Sequence, residues 1–191
     1  MARSHWSTLC LSEDPEQAAC LLEGIPSVIV VFNPTDDVIG YSGRLLIHSL
    51  GYPEDPAIQK QAEELMEAVG YSPENFPAYA LQGWATVSRI KPYTPELFAK
   101  EAELHGHGED LTLYAAQCGF MGAQAWGIYL KDTCTLDIPV LDVIPPEGIN
   151  EGEMWLPENP LHIEAWKLAL SAEVEEDEDE PPLDLTGLIN N

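Results

Sequence analysis

The chain has 191 residues, 45% of them hydrophobic, with 33 Asp and Glu against 8 Lys and Arg, so its formal net charge is −25. That balance works against general nucleic-acid binding, because phosphate neutralisation needs clustered Lys and Arg. No apolar run approaches the ~18 residues of a membrane span, and the start Met1-Ala2-Arg3-Ser4-His5-Trp6 lacks a signal-peptide core; the expectation is a cytoplasmic protein that contacts no membrane.

Trp6 to Leu11 reads as a first strand. Asp14-Pro15 supplies an N-cap followed by proline at the first helical position, and the helix that follows runs to about Glu23 before Gly24 stops it. Val28 to Phe32 is β-branched and apolar, a buried strand. Asn33 to Asp37 has turn chemistry, and Gly43 to Ser49 reads as a third strand. Asp55-Pro56 repeats the cap-plus-proline device. Behind it Ile58, Ala62, Leu65, Met66 and Val69 share one helical face, ended by Gly70.

Tyr71 to Tyr79 is a proline-containing loop. Leu81 to Ile90 is a long strand in which Gly83 marks a bulge or a close approach. Thr94-Pro95-Glu96 opens a third helix, through about Leu104, broken by His105-Gly106-His107-Gly108. Ala125 to Leu130 and Thr135 to Val140 read as two further strands, and Gly152 to Leu156 as a last one. Pro160 to Leu170 reads as a helix with Ile163, Trp166 and Leu170 on its apolar edge. The expected domain is therefore 1–171.

Residues 172–191 form a separate acidic tail. Glu173 to Asp184 holds eight carboxylates and no cation, which gives a solvated, disordered segment. After Pro181-Pro182 come Leu183, Leu185, Leu188 and Ile189. These are candidate anchors for a basic protein partner that the acidic run would steer.

The order of these elements carries a resemblance. Gly24 with its apolar strand, Gly43-Arg44-Leu45-Leu46-Ile47-His48, Gly83-Trp84-Ala85-Thr86-Val87 and Arg89-Ile90-Lys91-Pro92-Tyr93 come first. The His105–Gly108 stretch, Ala125-Trp126-Gly127-Ile128-Tyr129-Leu130, Ile138-Pro139-Val140 and Gly152-Glu153-Met154-Trp155 follow. From Trp6 to Pro157 this sequence resembles the ASCH domains of the PUA-like superfamily. The resemblance implies an α+β fold, a small mixed β-barrel with three to four peripheral helices. It also implies a groove whose charged G-x-K-x-x-E-x-R set binds RNA or nucleotides and, in some members, cleaves RNA or hydrolyses modified nucleosides.

Counting from Gly24, the family lysine falls on Pro26, its glutamate on Ile29 and its arginine on Val31. None of these can hold a phosphate or move a proton. The reading is a non-catalytic module for an RNA or nucleotide-like ligand, with Ser27, Arg44, His48 and Lys91 as candidate contacts. The rival is an acidic interaction factor, in its extreme form a nucleic-acid mimic. A third reading relocates catalysis to Arg44, Lys91 or His48.

His105 and His107, with Glu109 and Asp110 near, weigh less as metal ligands than as a helix stop, so no metal and no cofactor is expected. Trp84, Trp126 and Trp155 sit at strand spacing as core. Cys10, Cys20, Cys118 and Cys134 form no C-x-x-C pair and read as buried, reduced thiols.

Overall fold

Strand pairing sets the architecture. In a computed structural model describing residues 7–171, six strands form one mixed sheet in the order β2-β5-β4-β3-β1-β6, curled into a half-barrel. The strands are β1 (Cys10–Glu13), β2 (Val28–Phe32), β3 (Gly43–Ser49), β4 (Ala80–Pro92), β5 (Ala125–Val140) and β6 (Glu153–Trp155). Only β1 and β3 run parallel; the other pairings are antiparallel. Among the described residues the sheet is not closed, and β2 and β6 are its edges.

Seven helices surround it among the described residues: α1 (Pro15–Leu22), α2 (Asp36–Ile39), α3 (Pro56–Ala68), α4 (Pro95–Lys100), α5 (Ala102–His105), α6 (Leu111–Gln117) and α7 (Pro160–Ser171). Local chemistry explains the starts. The Asp55 carboxylate accepts from the Ala57 and Ile58 amides, and Thr94 Oγ1 from that of Leu97. Both satisfy amides that a helix leaves unpaired, with proline at the position that has none to offer.

Side-chain alternation sends the two faces of the sheet into different cores. Leu45 and Ile47 of β3 join Leu11, Leu21, Met66 and Ile128 beneath α1 and α3. Leu46 turns the other way, against Trp84, Trp155 and Trp166 under α7. A third cluster places Val28 and Val30 of β2 against Tyr93, Phe98 and Tyr129. Gly83 is a point of close approach: a Cβ there would lie 2.1 Å from the Cys134 carbonyl oxygen. The β4–β5 register shifts between Leu81 and Gly83.

Several expectations change. The strands read as Ala125–Leu130 and Thr135–Val140 are one, β5; its polar middle stays in the ladder, with Asp132 at φ 48° where the pairing is irregular. The third helix divides into α4 and α5, and α6 was not foreseen at all. Asn33 to Asp37 leads straight into the single turn of α2. On α3 only Ala62 and Met66 are buried, while Ile58 and Leu65 are exposed, because that helix packs against α1 along a narrow stripe. Cys10 and Cys20 are buried as expected, but Cys118 is exposed and Cys134 half-buried. The readings at Trp6 and over 172–191, including Leu183, Leu185, Leu188 and Ile189, lie outside the described residues. No helix among the described residues is long and apolar enough to cross a membrane.

Candidate functional site

The opening between the edge strands is a cleft of about 820 Å³, within the usual range for small-molecule sites. One wall comes from β2 and the turn before it: Pro26, Ile29, Val31 and Phe32. Alternation along β2 explains the choice, since Ile29 and Val31 face the barrel interior while Val28 and Val30 face the third cluster. The facing wall is acidic. Glu13 at the end of β1, Glu151 in the turn before β6 and Glu153 at the start of β6 line it, together with Gln17 of α1. None of the described lysines and arginines does.

Aromatic rings close one side. His107 stacks on Tyr114 at 4.1 Å between centroids, Tyr114 lies 5.7 Å from Phe32, and Phe32 stacks on Phe120 at 5.0 Å. All four line the cleft.

Glu13 is 8% exposed. Burial pushes its carboxyl up to about 8, helped by the charges of Glu151, Asp14 and Glu16, with the Gly152 amide opposing. Burial also raises Glu151, Asp14 and Glu16. One Glu16 oxygen is buried with no hydrogen-bond partner. Partial desolvation in the ring stack, and the neighbouring His105, lower His107 from its ordinary value although its surface is exposed.

The four residues singled out as ligand contacts lie elsewhere, and none lines this cleft. Arg44 and His48 have the even parity of β3 and so lie on the α7 side of the sheet. The Arg44 guanidinium sits 4.4 Å over the Trp84 ring. His48 is fully buried in a chain of hydrogen bonds: Trp155 Nε1–H donates to Ser12 Oγ (2.9 Å), Ser12 donates to His48 Nδ1 (3.0 Å), and His48 Nε2–H donates to the Val143 carbonyl (2.8 Å). Every proton in that chain is committed if the ring is neutral, and burial lowers His48 to about 4. Ser27 is half-buried at the entry to β2, its amide bonded to the Leu104 carbonyl.

Lys91 belongs to a separate corner on the outer face of β4 and β5. Its Nζ is 3.1 Å from Glu101 Oε1, and Glu101 Oε2 accepts from Tyr93 OH at 3.1 Å and from Tyr129 OH. Lys91 and Arg89 also lie over the Tyr129 ring, at 4.6 and 4.0 Å. Burial works to raise the Glu101 carboxyl, but the bonds from Tyr129, Lys91 and Tyr93 outweigh it and hold the group low. His105 is buried, ends α5 and bonds the Phe98 carbonyl through Nε2, with Gly106 in the left-handed cap position behind it. Trp84 and Trp155 are buried core, and Trp126 is half-buried.

Sequence reading missed the acidic wall. Glu13 lay at the end of a strand and Glu151 in a loop, more than a hundred residues apart, and only the β1–β6 pairing brings them together.

The curled sheet and its element order match solved structures. The ASCH protein of Zymomonas mobilis superposes with a TM-score of 0.52 at 14% identity, over 85% of this chain and 94% of that one. A serine-to-alanine mutant of it gives 0.51 at 12% identity, over 88% and 99%. The chain has the ASCH fold. No family model matches the sequence, and no curated protein does. Pro26, Ile29 and Val31 all line the cleft.

Proposed function

We propose that this protein is a non-catalytic binding module. It keeps the cleft of the ASCH fold and directs it toward neutral or positively charged ligands instead of phosphate-bearing ones. One observation carries the reading: the cleft is lined by the uncharged Pro26, Ile29 and Val31, to which the resemblance assigns the family's lysine, glutamate and arginine, and by the carboxylates Glu13, Glu151 and Glu153. A phosphate brought here would meet carboxylates at close range with no counter-cation, and like charges in a partly desolvated site repel strongly. A general acid–base pair is also missing from the β2 wall, whose side chains do not titrate. Of the nucleotide-like ligands, a nucleoside fits this chemistry better than a nucleotide or an RNA strand.

The test is fluorescence anisotropy of a labelled single-stranded RNA with the full chain at physiological salt. The expected result is no saturable binding. A salt-dependent isotherm that Glu151→Lys strengthens no further would overturn the reading.

A second reading is favoured by the net charge of −25 and by the acidic run at Glu173 to Asp184. Here the protein is an interaction factor for a basic protein, with Leu183, Leu185, Leu188 and Ile189 as anchors. Affinity capture with the full chain and with a chain ending at Ser171 separates the two. Loss of a basic partner on truncation supports the second reading, and an identical partner set rejects it.

A further inference from the structure

The two walls of the cleft differ in chemistry in a way that specifies a ligand more closely. The wall formed by β1, the approach to β6 and α1 carries carboxylates. The wall formed by β2 and α6 carries the ring series His107–Tyr114–Phe32–Phe120. Tyr114 lines the same cleft as Glu13 and Glu151.

Glu13 lines the cleft at 8% exposure, and among the described residues no ion pair involves it. A carboxyl taken out of water without a cation is costly, and the group stays protonated or waits for a partner. The groups around it offer none. Asp14 and Glu16 come from the start of α1, Glu151 and Glu153 from the approach to β6, Tyr114 and Cys118 from α6, and His107 precedes that helix. All are acidic or neutral at physiological pH.

We propose that the cleft binds a small organic cation, an ammonium group joined to a flat or apolar body. The ammonium sits between Glu13 and Glu151, and the body lies against Phe32 and Phe120. This rests on reading the cleft as a binding site and names the ligand class for it. Three physical terms favour it. The cation supplies the counter-charge that Glu13 lacks. The aromatic residues lining the cleft favour a cation over an anion through their ring quadrupoles. The apolar β2 wall buries the ligand's body. A volume of about 820 Å³ suits a molecule of this size.

Binding is linked to protons. Glu13 holds its proton up to about 8 and must release it to form the ion pair. Affinity therefore climbs as pH rises toward 8, by up to about ten-fold per unit, and levels off above it.

The experiment is calorimetric titration of the full chain with tryptamine, its neutral analogue tryptophol and the anion indole-3-acetate, at pH 8.5 and physiological salt. The expected order is tryptamine about ten-fold or more tighter than tryptophol, with indole-3-acetate weakest. Glu151→Gln, a change at the exposed rim, reduces tryptamine affinity several-fold and leaves tryptophol unchanged. Glu13→Gln removes the preference for tryptamine. Repeating the titration at pH 6.5 in two buffers of different ionisation enthalpy shows about one proton released.

Equal affinity for tryptamine and tryptophol, with both blocked by Val31→Trp, would overturn the cation inference and leave the cleft as a binding site. Binding of none of the three would overturn both. Tryptamine binding untouched by Glu13→Gln, Glu151→Gln and Val31→Trp would place it outside the cleft and overturn the inference too.

Discussion

Two places in this molecule handle buried carboxylates in opposite ways. At the outer corner Glu101 has one cation and two tyrosine hydroxyls on it, and Lys91 and Arg89 cover the adjoining Tyr129 ring. In the cleft Glu13 is flanked by further acids, and none of the described lysines and arginines lines it. The corner holds its carboxyl low and ionised; the cleft holds its carboxyl high and protonated. A satisfied network of the first kind fastens one helix segment to the sheet. A carboxyl of the second kind costs stability at neutral pH and leaves a charge preference that something outside the fold can meet. The contrast separates a structural ion pair from a candidate site in a chain with few cations to distribute.

Changing pH breaks this comparison most strongly. The folded carboxyl of Glu13 titrates near 8 and the unfolded one near its ordinary 4.5, so between those values the native state binds the extra proton. Stability therefore falls as pH rises through 4.5 to 8, by an amount on the order of 5 kcal/mol from this group. Urea denaturation across that range checks it, and Glu13→Gln is expected to flatten the upper half of the curve.

His48 acts with the opposite sign. Its folded value is about 4 against 6.5 unfolded, so its contribution is present above 6.5 and lost as pH falls toward 4. In the Glu13→Gln protein the remaining slope between 4 and 6.5 should be positive with pH.

Next in size is the corner. Glu101→Gln removes the charge that three donors share and is expected to cost about 2 kcal/mol in chemical denaturation, with tryptamine affinity in the cleft unchanged. A matching loss of cleft binding would mean that the two regions are coupled.

Val31→Arg places one cation on the β2 wall and is expected to raise the affinity for cytidine 5′-monophosphate about ten-fold, as read by calorimetry. Smallest is Lys60→Gln. The Lys60–Glu64 pair is exposed on α3, and its loss should move stability by less than about 0.5 kcal/mol.

Much of the scaffold is legible in the sequence, because it rests on local chemistry. The bounds of β2 and β3 follow from β-branched runs between turn residues, α1 and α3 both open with proline in the first turn although only Asp55, and not Asp14, caps with its side chain, and the tightness at Gly83 shows in its place within a strand. The continuity of β5 is not legible, because Asp132 and its polar neighbours look like a turn until β4 is seen pairing with both halves. The uncharged run from Pro26 through Ile29 and Val31 can be read from the sequence, and these residues sit in the cleft wall. The acidic wall cannot, since it depends on pairing β1 with a three-residue strand more than a hundred residues away. Nor can the separation of Arg44 and His48 from the cleft. They share a face with each other, as strand parity requires, but only the core packing of Leu45 and Ile47 shows which face looks into the barrel.

The most direct test of the central claim is to titrate the full chain in parallel with cytidine and with cytidine 5′-monophosphate, following the amide resonances of Ile29, Val31, Glu151 and Gly152. Carboxylates opposite an uncharged β2 wall predict that cytidine shifts these resonances at lower concentration than the monophosphate does. Tighter binding of the monophosphate, with the same resonances moving, would contradict it.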